Sequence, residues 1–414
     1  MMQTTSCDVL VAGAGPAGIA AAVAATRAGA DVIVVERCGV PGGSPAVAMV
    51  GTICGVYRRD ESYLCEGFLQ ELAAYIRDYS GVHPVKMTDG LLVIPCDSID
   101  FQHTALHFLS APGQLRLLLH STVMAAAAAE GRIHSVDVLA WNQTIRIFPR
   151  AIIDCSGEAT LFYLASAGTL PEEAPQAAAL VALLELEKSD YASEFSRNLA
   201  VIREVAKAAE KELSDLTQWI SFVPTKDPRR LQVKLNLPYP DSPAIMQVSD
   251  LEICGRLAVE KLSAFLKTVL PGARLITVAP QVGIRSGRRG RGKYVLTEED
   301  VLNCRKFEDG VACGCWPQEH WSAAHRPKLT HLNETSGYYE IPARCLMSEK
   351  VKNLFLAGRC LSGTEGALAS ARVIATCITT GYAAGKLGAR CAQNISLEET
   401  VGELQREQVK KDAS

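Results

Sequence analysis

The sequence has little net charge and no long uninterrupted hydrophobic run. Its 414 residues include 42 basic and 45 acidic side chains, which gives a formal net charge of -3 at pH 7. This balance provides no general attraction to nucleic acid or to an anionic membrane. The charge-free stretch from Val9 to Thr26 follows Asp8 rather than a basic segment, and glycines and a proline interrupt it. We therefore expect a small-molecule substrate, no nucleic-acid partner, no targeting segment and no membrane span.

The cysteines and histidines lack the spacings of a metal site or a disulfide framework. Fourteen cysteines are spread from Cys7 to Cys391. The densest group, Cys304, Cys313 and Cys315, matches no zinc or iron–sulfur signature. The eight histidines show no ligand spacing. We expect no bound metal, thiols that are mostly buried and reduced, and a cytoplasmic location.

Segments that alternate between strand and helix stand at both ends of the chain. CDVLVAG, PAGIAAAVAATRAG and DVIVVE predict a strand, a helix and a second strand. Near the C-terminus NLFLAGRC predicts a strand, and Ala367 to Arg390 a helix of small residues. Between roughly Thr160 and Pro280, strand candidates such as ALVALLELE and RLQVKLNL are mixed with a polar helical stretch from Tyr191 to Trp219. This order predicts a second domain inserted into the first.

Three glycines form a G-x-G-x-x-G motif at the first strand-to-helix turn. Gly13 permits the tight turn, Gly15 lets the backbone approach a pyrophosphate, and Gly18 lets the helix pack closely on the strand. The phosphates would lie at a helix N-terminus, where unpaired N–H groups and the helix dipole stabilise negative charge. Glu36 ends the second strand, where a carboxylate can accept hydrogen bonds from both ribose hydroxyls. The unit therefore predicts a dinucleotide site for an unphosphorylated ribose.

Two later features favour FAD over NAD as that dinucleotide. The turn GVPGGS places Gly42, Gly43 and Ser44 shortly after Glu36, and the C-terminal strand NLFLAGRC brings another glycine to a helix. A cofactor that touches both ends of the chain is long, as FAD is. Simple close packing of a small-residue helix remains the alternative explanation of the C-terminal feature.

Several segments together carry a resemblance to a known family. They are DVLVAGAGPAGIAAAVAATRAGADVIVVER, the Gly42-Gly43 turn, DCSGEA, GIRSGRRGRGKYVLTEEDVLNCRKFEDGVA and IPARCLMSEKVKNLFLAGRCLSGTEGALASARVIATCITTGYAAG. The chain resembles the FAD-dependent oxidoreductases with the glutathione-reductase-like FAD-binding fold. The match spans nearly the whole chain, is most specific at LTEED and AGRCLS, and is weakest from Leu170 to Gly272.

The resemblance implies a set of cofactor-binding residues at both ends of the chain. It assigns the diphosphate to the glycine motif and the ribose to Glu36, the adenine to the backbone at Val123, and the pyrimidine ring to a helix that begins near Val373. A helix N-terminus at that ring would stabilise the anionic reduced flavin. The full set is Gly13, Gly15, Pro16, Ala17, Gly18, Glu36, Arg37, Gly42, Gly43, Ser44, Val123, Gly157, Gly358, Arg359, Ser370, Arg372 and Val373.

The chain departs from the family pattern at two positions that the resemblance places near flavin or substrate. Where the family usually reads T-H-E-A, this chain has Glu365 in place of the histidine. Where the family usually reads R-E-S/T-R-R, it has Ser286 in place of the acid. Inactive or altered chemistry therefore stays open.

Three residues are candidates for catalytic work beside the flavin. Glu365 follows the flavin-side strand and could act as an acid or base, although a solvated loop carboxylate is the alternative. Arg285 and Arg288 could clamp a substrate carboxylate with paired hydrogen bonds. Arg291 and Lys293 are better explained as surface-loop charges.

The sequence predicts an α/β fold made of a Rossmann-type FAD-binding domain with a central parallel sheet and an inserted α+β substrate domain with a mixed or antiparallel sheet. The expected boundaries are 1–165 and 340–395 for the FAD-binding domain, 166–339 for the insertion, and 396–414 for a C-terminal surface helix and tail. The expected function is a dehydrogenase or reductase of a small, anionic organic substrate that works by hydride transfer at flavin N5.

No second nicotinamide-binding motif is evident, so oxygen, a quinone or a partner protein is the expected electron acceptor. A non-catalytic or electron-transfer subunit of a larger complex is the alternative, motivated by the departures at Glu365 and Ser286. A flavin monooxygenase is disfavoured because the C-terminal half has no G-D-A-x-H segment. A homo-oligomer stays open.

Overall fold

The computed structural model describes residues 3–87, 89–110, 114–171, 176–186, 195–214, 217, 219–225, 227, 229–237, 245–269, 272–321, 328–333 and 337–409. The strands are β1 (Gln3–Ala12), β2 (Val32–Val35), β3 (Thr52–Ile53), β4 (Val85–Lys86), β5 (Leu92–Pro95), β6 (Leu115–Leu118), β7 (Ser121–Ala129), β8 (Arg132–Ala140), β9 (Gln143–Asp154), β10 (Thr169–Leu170), β11 (Ala178–Glu185), β12 (Trp219–Pro224), β13 (Arg230–Leu237), β14 (Arg274–Val278), β15 (Arg289–Gly290), β16 (Gly310–Gly314), β17 (Gln318–His320), β18 (Lys328–Thr330), β19 (Tyr339–Pro342) and β20 (Leu354–Leu356). The α-helices are α1 (Pro16–Arg27), α2 (Ser44–Val47), α3 (Phe68–Ser80), α4 (Ser98–Leu109), α5 (Thr160–Leu164), α6 (Phe195–Glu212), α7 (Ile245–Val269), α8 (Glu298–Leu302), α9 (Glu365–Ala371), α10 (Ile374–Ala392) and α11 (Leu397–Gln408).

The central sheet has the strand order β6-β2-β1-β9-β8-β7, and β20 pairs with the end of β9. The pairs β2–β6, β1–β2, β1–β9 and β9–β20 are parallel, whereas β7 and β8 run antiparallel to their neighbours. The buried β2 is a continuous VIVV run, as expected of a strand covered on both faces. Because β20 joins this sheet 200 residues after β9, the two ends of the chain form one layer.

A second sheet is antiparallel and has the order β12-β13-β11-β14. Val233, Leu235 and Leu237 of β13 lie in a core that also contains residues of α6 and α7. The side chains between them point to the opposite face. There the side chain of Gln232 lies against Gly51, in the segment that follows α2. The predicted α/β fold, with a central sheet and a separate antiparallel sheet, is confirmed, whereas the predicted domain boundaries stay a prediction.

Helices α1 and α10 cross at unusually close range. A Cβ on Gly381 would lie 2.1 Å from the carbonyl oxygen of Ala17, and one on Gly385 would lie 2.2 Å from that of Ala21. Only glycine allows this approach, because any side chain would overlap the backbone of α1. Helix α1, which follows the glycine motif, therefore packs directly against α10.

The predicted helix from Ala367 to Arg390 is wrong as a single element. Helix α9 ends at Ala371, Arg372 and Val373 leave the helical path, and α10 begins at Ile374. Small residues lie on both sides of the break, so the sequence pattern alone did not show where α9 ends. The side chain of Arg372 is hydrogen-bonded to Gln176 and to the carbonyl oxygen of Glu319. The break is therefore associated with long-range contacts.

Two further helical segments differ from the sequence prediction. Within the predicted stretch from Tyr191 to Trp219, α6 covers Phe195–Glu212 and Trp219 already begins β12, while residues 191–194 lie outside the described residues. Helix α7 was not predicted at all. It crosses the antiparallel sheet at Gly255, where a Cβ would lie 3.0 Å from the side chains of Leu180 and Leu237.

The LTEED segment, one of the most specific parts of the resemblance, is a helix cap. Thr297 is the N-cap of α8 and accepts a hydrogen bond from the backbone N–H of Asp300 at 3.1 Å. The Asp300 carboxylate accepts the backbone N–H of Thr297 at 2.9 Å in return. Such a capping box satisfies two N–H groups that the helix leaves unpaired. The motif thus has a structural role, and its first residue, Leu296, pairs with Gly363.

Candidate cofactor and substrate site

The turn between β1 and α1 contains three glycines, and a side chain at Gly13 or Gly18 would overlap the backbone. Gly13 has a φ of 98° and donates its N–H to the carbonyl oxygen of Val35 at 2.7 Å. A Cβ on Gly18 would lie 1.8 Å from the carbonyl oxygen of Gly13. Gly15 is the N-cap of α1, which no side chain caps, and Pro16 is its first residue. The end of α1 therefore has the form of an anion-binding helix terminus.

The second glycine turn meets the first at the same point. Gly42 has a φ of 118° and donates its N–H to the carbonyl oxygen of Ala14 at 2.8 Å. Gly43 has a φ of 57°, and a Cβ there would lie 2.7 Å from the Cα of Gly15. The exposed Ser44 follows and begins α2. Two runs of bare backbone thus converge beside the N-terminus of α1.

Glu36 ties the surrounding loops together. Its buried carboxylate accepts the backbone N–H of Ala14 at 2.7 Å and that of Cys38 at 2.8 Å. Arg37 beside it is exposed. Val123 lies on β7, partly buried against the core under the sheet. The carboxylate is fixed next to the glycine turn, as the predicted ribose contact requires.

The remote C-terminal segment reaches the first turn of α1. Gly358 has a φ of 76°, and a Cβ there would lie 2.8 Å from the Cβ of Ala17. Gly157, with a φ of 75°, faces the guanidinium of Arg359. That guanidinium forms an ion pair of 2.5 Å with Glu158. The structure therefore brings the predicted residues from both ends of the chain into one region.

The start of α10 is the fourth part of this region. Val373 is its N-cap, and no side chain caps the helix. Ser370 is fully buried, and its hydroxyl donates to the carbonyl oxygen of Trp316 and also contacts the hydroxyl of Tyr339 at 2.9 Å. The side chain of Ser370 thus holds the segment in place, and the free helix end beside it can stabilise negative charge.

A cluster of cations lies between this region and the antiparallel sheet. The guanidinium of Arg285 lies 4.0 Å from the ring centre of Trp321 and donates to the carbonyl oxygen of Ala177. Burial and the neighbouring Arg372 lower the pKa of Arg285 to about 9, so it stays charged at pH 7. Burial also lowers the pKa of Arg372, which Glu319 partly offsets. Both arginines are partly buried.

Glu319 is the carboxylate that faces these cations. Its two oxygens accept the indole N–H groups of Trp316 at 3.0 Å and Trp321 at 3.1 Å. Burial lowers the pKa of Lys234 on β13, and Arg285 lowers it further while Glu319 raises it. Three cations thus interact with Glu319, which is already hydrogen-bonded, and one of them, Arg372, also interacts with Glu365. Such an arrangement favours a bound anion.

The two positions that depart from the family pattern contact each other. The Ser286 hydroxyl donates to a carboxylate oxygen of Glu365, and the Gln176 side-chain N–H donates to the same oxygen at 3.3 Å. The other oxygen of Glu365 lies 3.9 Å from Arg289. The amide oxygen of Gln176 accepts a hydrogen bond of 2.8 Å from Arg372. Glu365 is therefore a buried, hydrogen-bonded carboxylate linked to the cation cluster, not a solvated loop residue.

Arg288 lies apart from these residues. Its guanidinium stacks 4.3 Å from the ring centre of Tyr163, whose side chain is largely exposed on α5. Arg285 and Arg288 are three residues apart, yet each stacks on a different aromatic ring. The structure does not bring them together, and the catalytic role of Arg288 stays a prediction.

A family model described as FAD dependent oxidoreductase matches residues 8–412. The chain belongs to this family. Family membership makes FAD the cofactor and an oxidoreductase the class of enzyme. The glutathione-reductase-like detail of the expected fold stays a prediction.

The similar proteins are more distant or shorter matches. The chain is 63% identical over 38 residues to the sarcosine oxidase subunit alpha of Rhizobium meliloti (strain 1021), a stretch that covers 9% of this chain and 4% of that subunit. The OxyS anhydrotetracycline hydroxylase from Streptomyces rimosus aligns with 97% of this chain and 66% of its own length, at 13% identity and a TM-score of 0.51. The myxobacterial chondrochloren halogenase CndH aligns with 97% of this chain and 78% of its own length, at 13% identity and a TM-score of 0.51. These structures share the fold.

The residues of this FAD dependent oxidoreductase fit the cofactor. Gly15 and Gly43 form a cradle that a Cβ would fill, at the uncapped end of α1. Glu36 is fixed beside it, and the uncapped start of α10 lies at the other side of Gly358. Across the described ranges, no group of side chains could hold a metal ion, and no helix is long and apolar enough to cross a membrane.

The sequence analysis did not identify three residues that lie in or beside the cation cluster. Gln176 links Glu365 to Arg372, Glu319 is held by two indoles, and Lys234 comes from the weakly matched region. Each lies outside any motif, so their approach to Arg285 depends on the packing of the two sheets. The alternation of RLQVKLNL, which places Lys234 on one face with Gln232 and Asn236, was the available signal.

Proposed function

We propose that this protein is an FAD-dependent dehydrogenase or reductase whose substrate is a small organic anion held by Arg285. The supporting observation is the partly buried cluster in which Lys234, Arg285 and Arg372 all interact with Glu319, and Arg372 also with Glu365. Among the described residues, the hydrogen bond donated by Arg285 goes to the carbonyl oxygen of Ala177. A guanidinium has five N–H donors, so it can still bind a carboxylate.

The roles of the chain's own groups follow from their positions. FAD, when bound, supplies a two-electron carrier that takes or returns a hydride at flavin N5. Arg285 orients the substrate's anionic group. Glu365 removes or returns a proton, and Ser286 and Gln176 hold its carboxylate in position through their hydrogen bonds. Gln176 also couples this carboxylate to Arg372.

The test of Arg285 is anaerobic reduction of the bound flavin by small carboxylic acids and their neutral amides. We expect acids to react faster than amides. Arg285→Lys keeps the charge but loses the planar fork, so kcat/KM for acids should fall about 10- to 100-fold. Arg274→Lys, in the exposed pair with Glu185, is the matched control and should react like the wild type. Equal rates for acids and amides, or an unchanged Arg285→Lys variant, would contradict the proposal.

Glu365→Gln tests the proton-transfer role. The amide oxygen can still accept from Ser286, so folding and FAD content should be kept. We expect kcat to fall about 10²- to 10⁴-fold with little change in KM, and the pH–rate profile to lose one limb. Glu299→Gln, at an exposed carboxylate of α8, is the control. A Glu365→Gln variant with a wild-type pH profile would refute the role.

A second candidate is a flavin-carrying subunit of a larger complex, in which a partner protein accepts the electrons. The observation that favours it is the 38-residue match to a subunit of sarcosine oxidase. Flavin that bleaches with substrate only after a partner protein is added would support this candidate, and bleaching by substrate alone would exclude it.

We also propose a cytoplasmic location, supported by the state of the cysteines. None of the fourteen forms a disulfide, and most are buried. Secretion to an oxidising compartment favours disulfides instead. Fractionation of the source cells with an antibody against the protein would test the location.

A further inference from the structure

The face of β12 and β13 that is turned away from α6 and α7 is polar. Trp219 pairs with Asn236, and Ser221 pairs with Lys234. Residues directly opposite in an antiparallel pair point to the same face, and Gln232 joins them because it lies two residues before Lys234. We call these five residues the polar face.

Four of the five side chains of the polar face carry a buried polar atom that has no hydrogen-bond partner among the described residues. These atoms are the indole N–H of Trp219, the hydroxyl of Ser221, and the amide oxygens of Gln232 and Asn236. Trp219, Gln232 and Asn236 are only 6%, 4% and 2% exposed. Buried polar groups are nearly always paired, and an unpaired one destabilises the fold. Their concentration on one face indicates that a ligand supplies the missing partners.

The polar face is continuous with the cation cluster. The ring of Trp219 stacks on that of Trp321 with centres 5.0 Å apart. The guanidinium of Arg285 also stacks on the ring of Trp321. Lys234 lies close enough to Arg285 and Glu319 for the first to lower its pKa and the second to raise it. Three cations, Lys234, Arg285 and Arg372, face only two carboxylates among the described residues, those of Glu319 and Glu365. An anion is therefore favoured over a cation at this junction.

The polar face also selects for hydroxyl groups. The amide oxygens of Gln232 and Asn236 need hydrogen-bond donors, while Trp219 and Lys234 supply donors. Alternate residues of a strand lie about 7 Å apart, so the groups of the ligand must be spaced along a short chain. A hydroxyl both donates and accepts, and a carboxylate meets the cations.

We propose that the polar face is the substrate-binding wall and that it takes a hydroxylated carboxylic acid. This proposal rests on the proposed function, since it names the class of anion that Arg285 would orient. The carboxylate lies among Arg285, Arg372 and Lys234, and a hydroxyl pairs with the amide oxygen of Gln232 or with that of Asn236, which flank Lys234 on β13.

The first test measures binding to the FAD-loaded protein by calorimetry, without turnover. The probes are glycerate, erythronate and gluconate, each compared with the unhydroxylated acid and with the polyol of the same chain length. At least one hydroxy acid should bind about tenfold or more tightly than both of its counterparts. If none does, or if hydroxy acids and plain acids bind alike, the proposal is wrong.

Variants give a second test that does not depend on activity. Lys234→Met should weaken binding of the best hydroxy acid about tenfold or more, while Lys207→Met, at an exposed lysine of α6, should not change it. Ser221→Ala removes an unpaired hydroxyl, so it should raise Tm by about 1–2 °C and weaken binding several-fold. A Ser221→Ala variant with a lower Tm and unchanged binding would show a structural hydroxyl and overturn the proposal.

The outcomes for the wall and for the proposed function can be told apart. Tight binding of a hydroxy acid without any flavin reduction would support the wall and contradict the oxidoreductase role of this site. Flavin reduction by plain acids, with Lys234→Met unchanged in KM, would keep the function and overturn the wall.

Discussion

The crossing of α1 and α10 predicts that one added methyl group will impair both folding and FAD binding. The perturbation is Gly381→Ala. A Cβ there would lie 2.1 Å from the carbonyl oxygen of Ala17 and 2.7 Å from its Cα. These are backbone atoms that cannot rotate away. To reach ordinary contact, the two helices would have to separate by roughly 1 Å.

Two opposing terms set the magnitude of this effect. Alanine is favoured over glycine inside a helix by about 1 kcal/mol. Overpacking of this kind costs about 1–3 kcal/mol, and more when backbone must move. We expect a net loss of about 1–2 kcal/mol in the free energy of unfolding. Because Ala17 lies in the first turn of α1, beside Gly15 and Gly43, the displacement should also weaken FAD binding.

The assay is thermal unfolding followed by circular dichroism, together with the flavin absorbance of the purified protein. Gly402→Ala in α11 is the matched control, because the nearest atom to its added Cβ is the end of the Arg406 side chain, at 3.7 Å. That variant should gain up to about 1 kcal/mol and keep its FAD. A Gly381→Ala variant as stable as Gly402→Ala, with full flavin content, would refute the reasoning.

Three further predictions concern single side chains. Hydrogen bonds from Thr297 and Arg305 outweigh the effect of burial and lower the pKa of Asp300 below its usual 3.8. Asp300→Asn should therefore lower the free energy of unfolding, measured in urea at pH 7, by about 1 kcal/mol. This difference should shrink as the pH falls below about 4, and a difference that does not vary with pH would contradict the prediction. Cys254 is exposed, whereas burial raises the pKa of Cys65 to about 12, so a thiol reagent at pH 8 should find one fast-reacting group that Cys254→Ser removes; an unchanged fast phase would count against it. Glu36→Gln should weaken FAD binding about tenfold in a fluorescence titration, and unchanged affinity would argue against the ribose contact.

The dinucleotide unit was predictable from the sequence because its determinants are local. The order of strand, glycines, helix and strand lies within residues 7–36, and the structure forms it as β1, α1 and β2. The closeness of the C-terminal segment was also predictable in outline, since NLFLAGRC reads as another buried strand. The pattern could not predict the break at Arg372. The side chain of this residue is hydrogen-bonded to Gln176 and Glu319, which precede it by 196 and 53 positions.

The polar face was beyond sequence prediction for a different reason. RLQVKLNL was correctly read as a strand, and β13 has the same bounds. Its alternation shows that Gln232, Lys234 and Asn236 share a face, but alternating polar residues usually face water. Their burial depends on the packing of this sheet against Gly51 of the other end of the chain. Only the assembled structure shows that this polar face is enclosed.

The two positions at which the chain departs from the pattern implied by the resemblance contact each other. Ser286 and Glu365 are 79 residues apart in the sequence, yet their side chains form one hydrogen bond. The usual family pair at these positions has an acid at the first and a histidine at the second. Here the acid stands at the second position and a hydroxyl donor at the first, so one donor and one acceptor still face each other with their roles exchanged. This contact supports the proton-transfer role that we propose for Glu365, and the pH–rate profile of Glu365→Gln is the measurement that separates that role from a purely structural carboxylate.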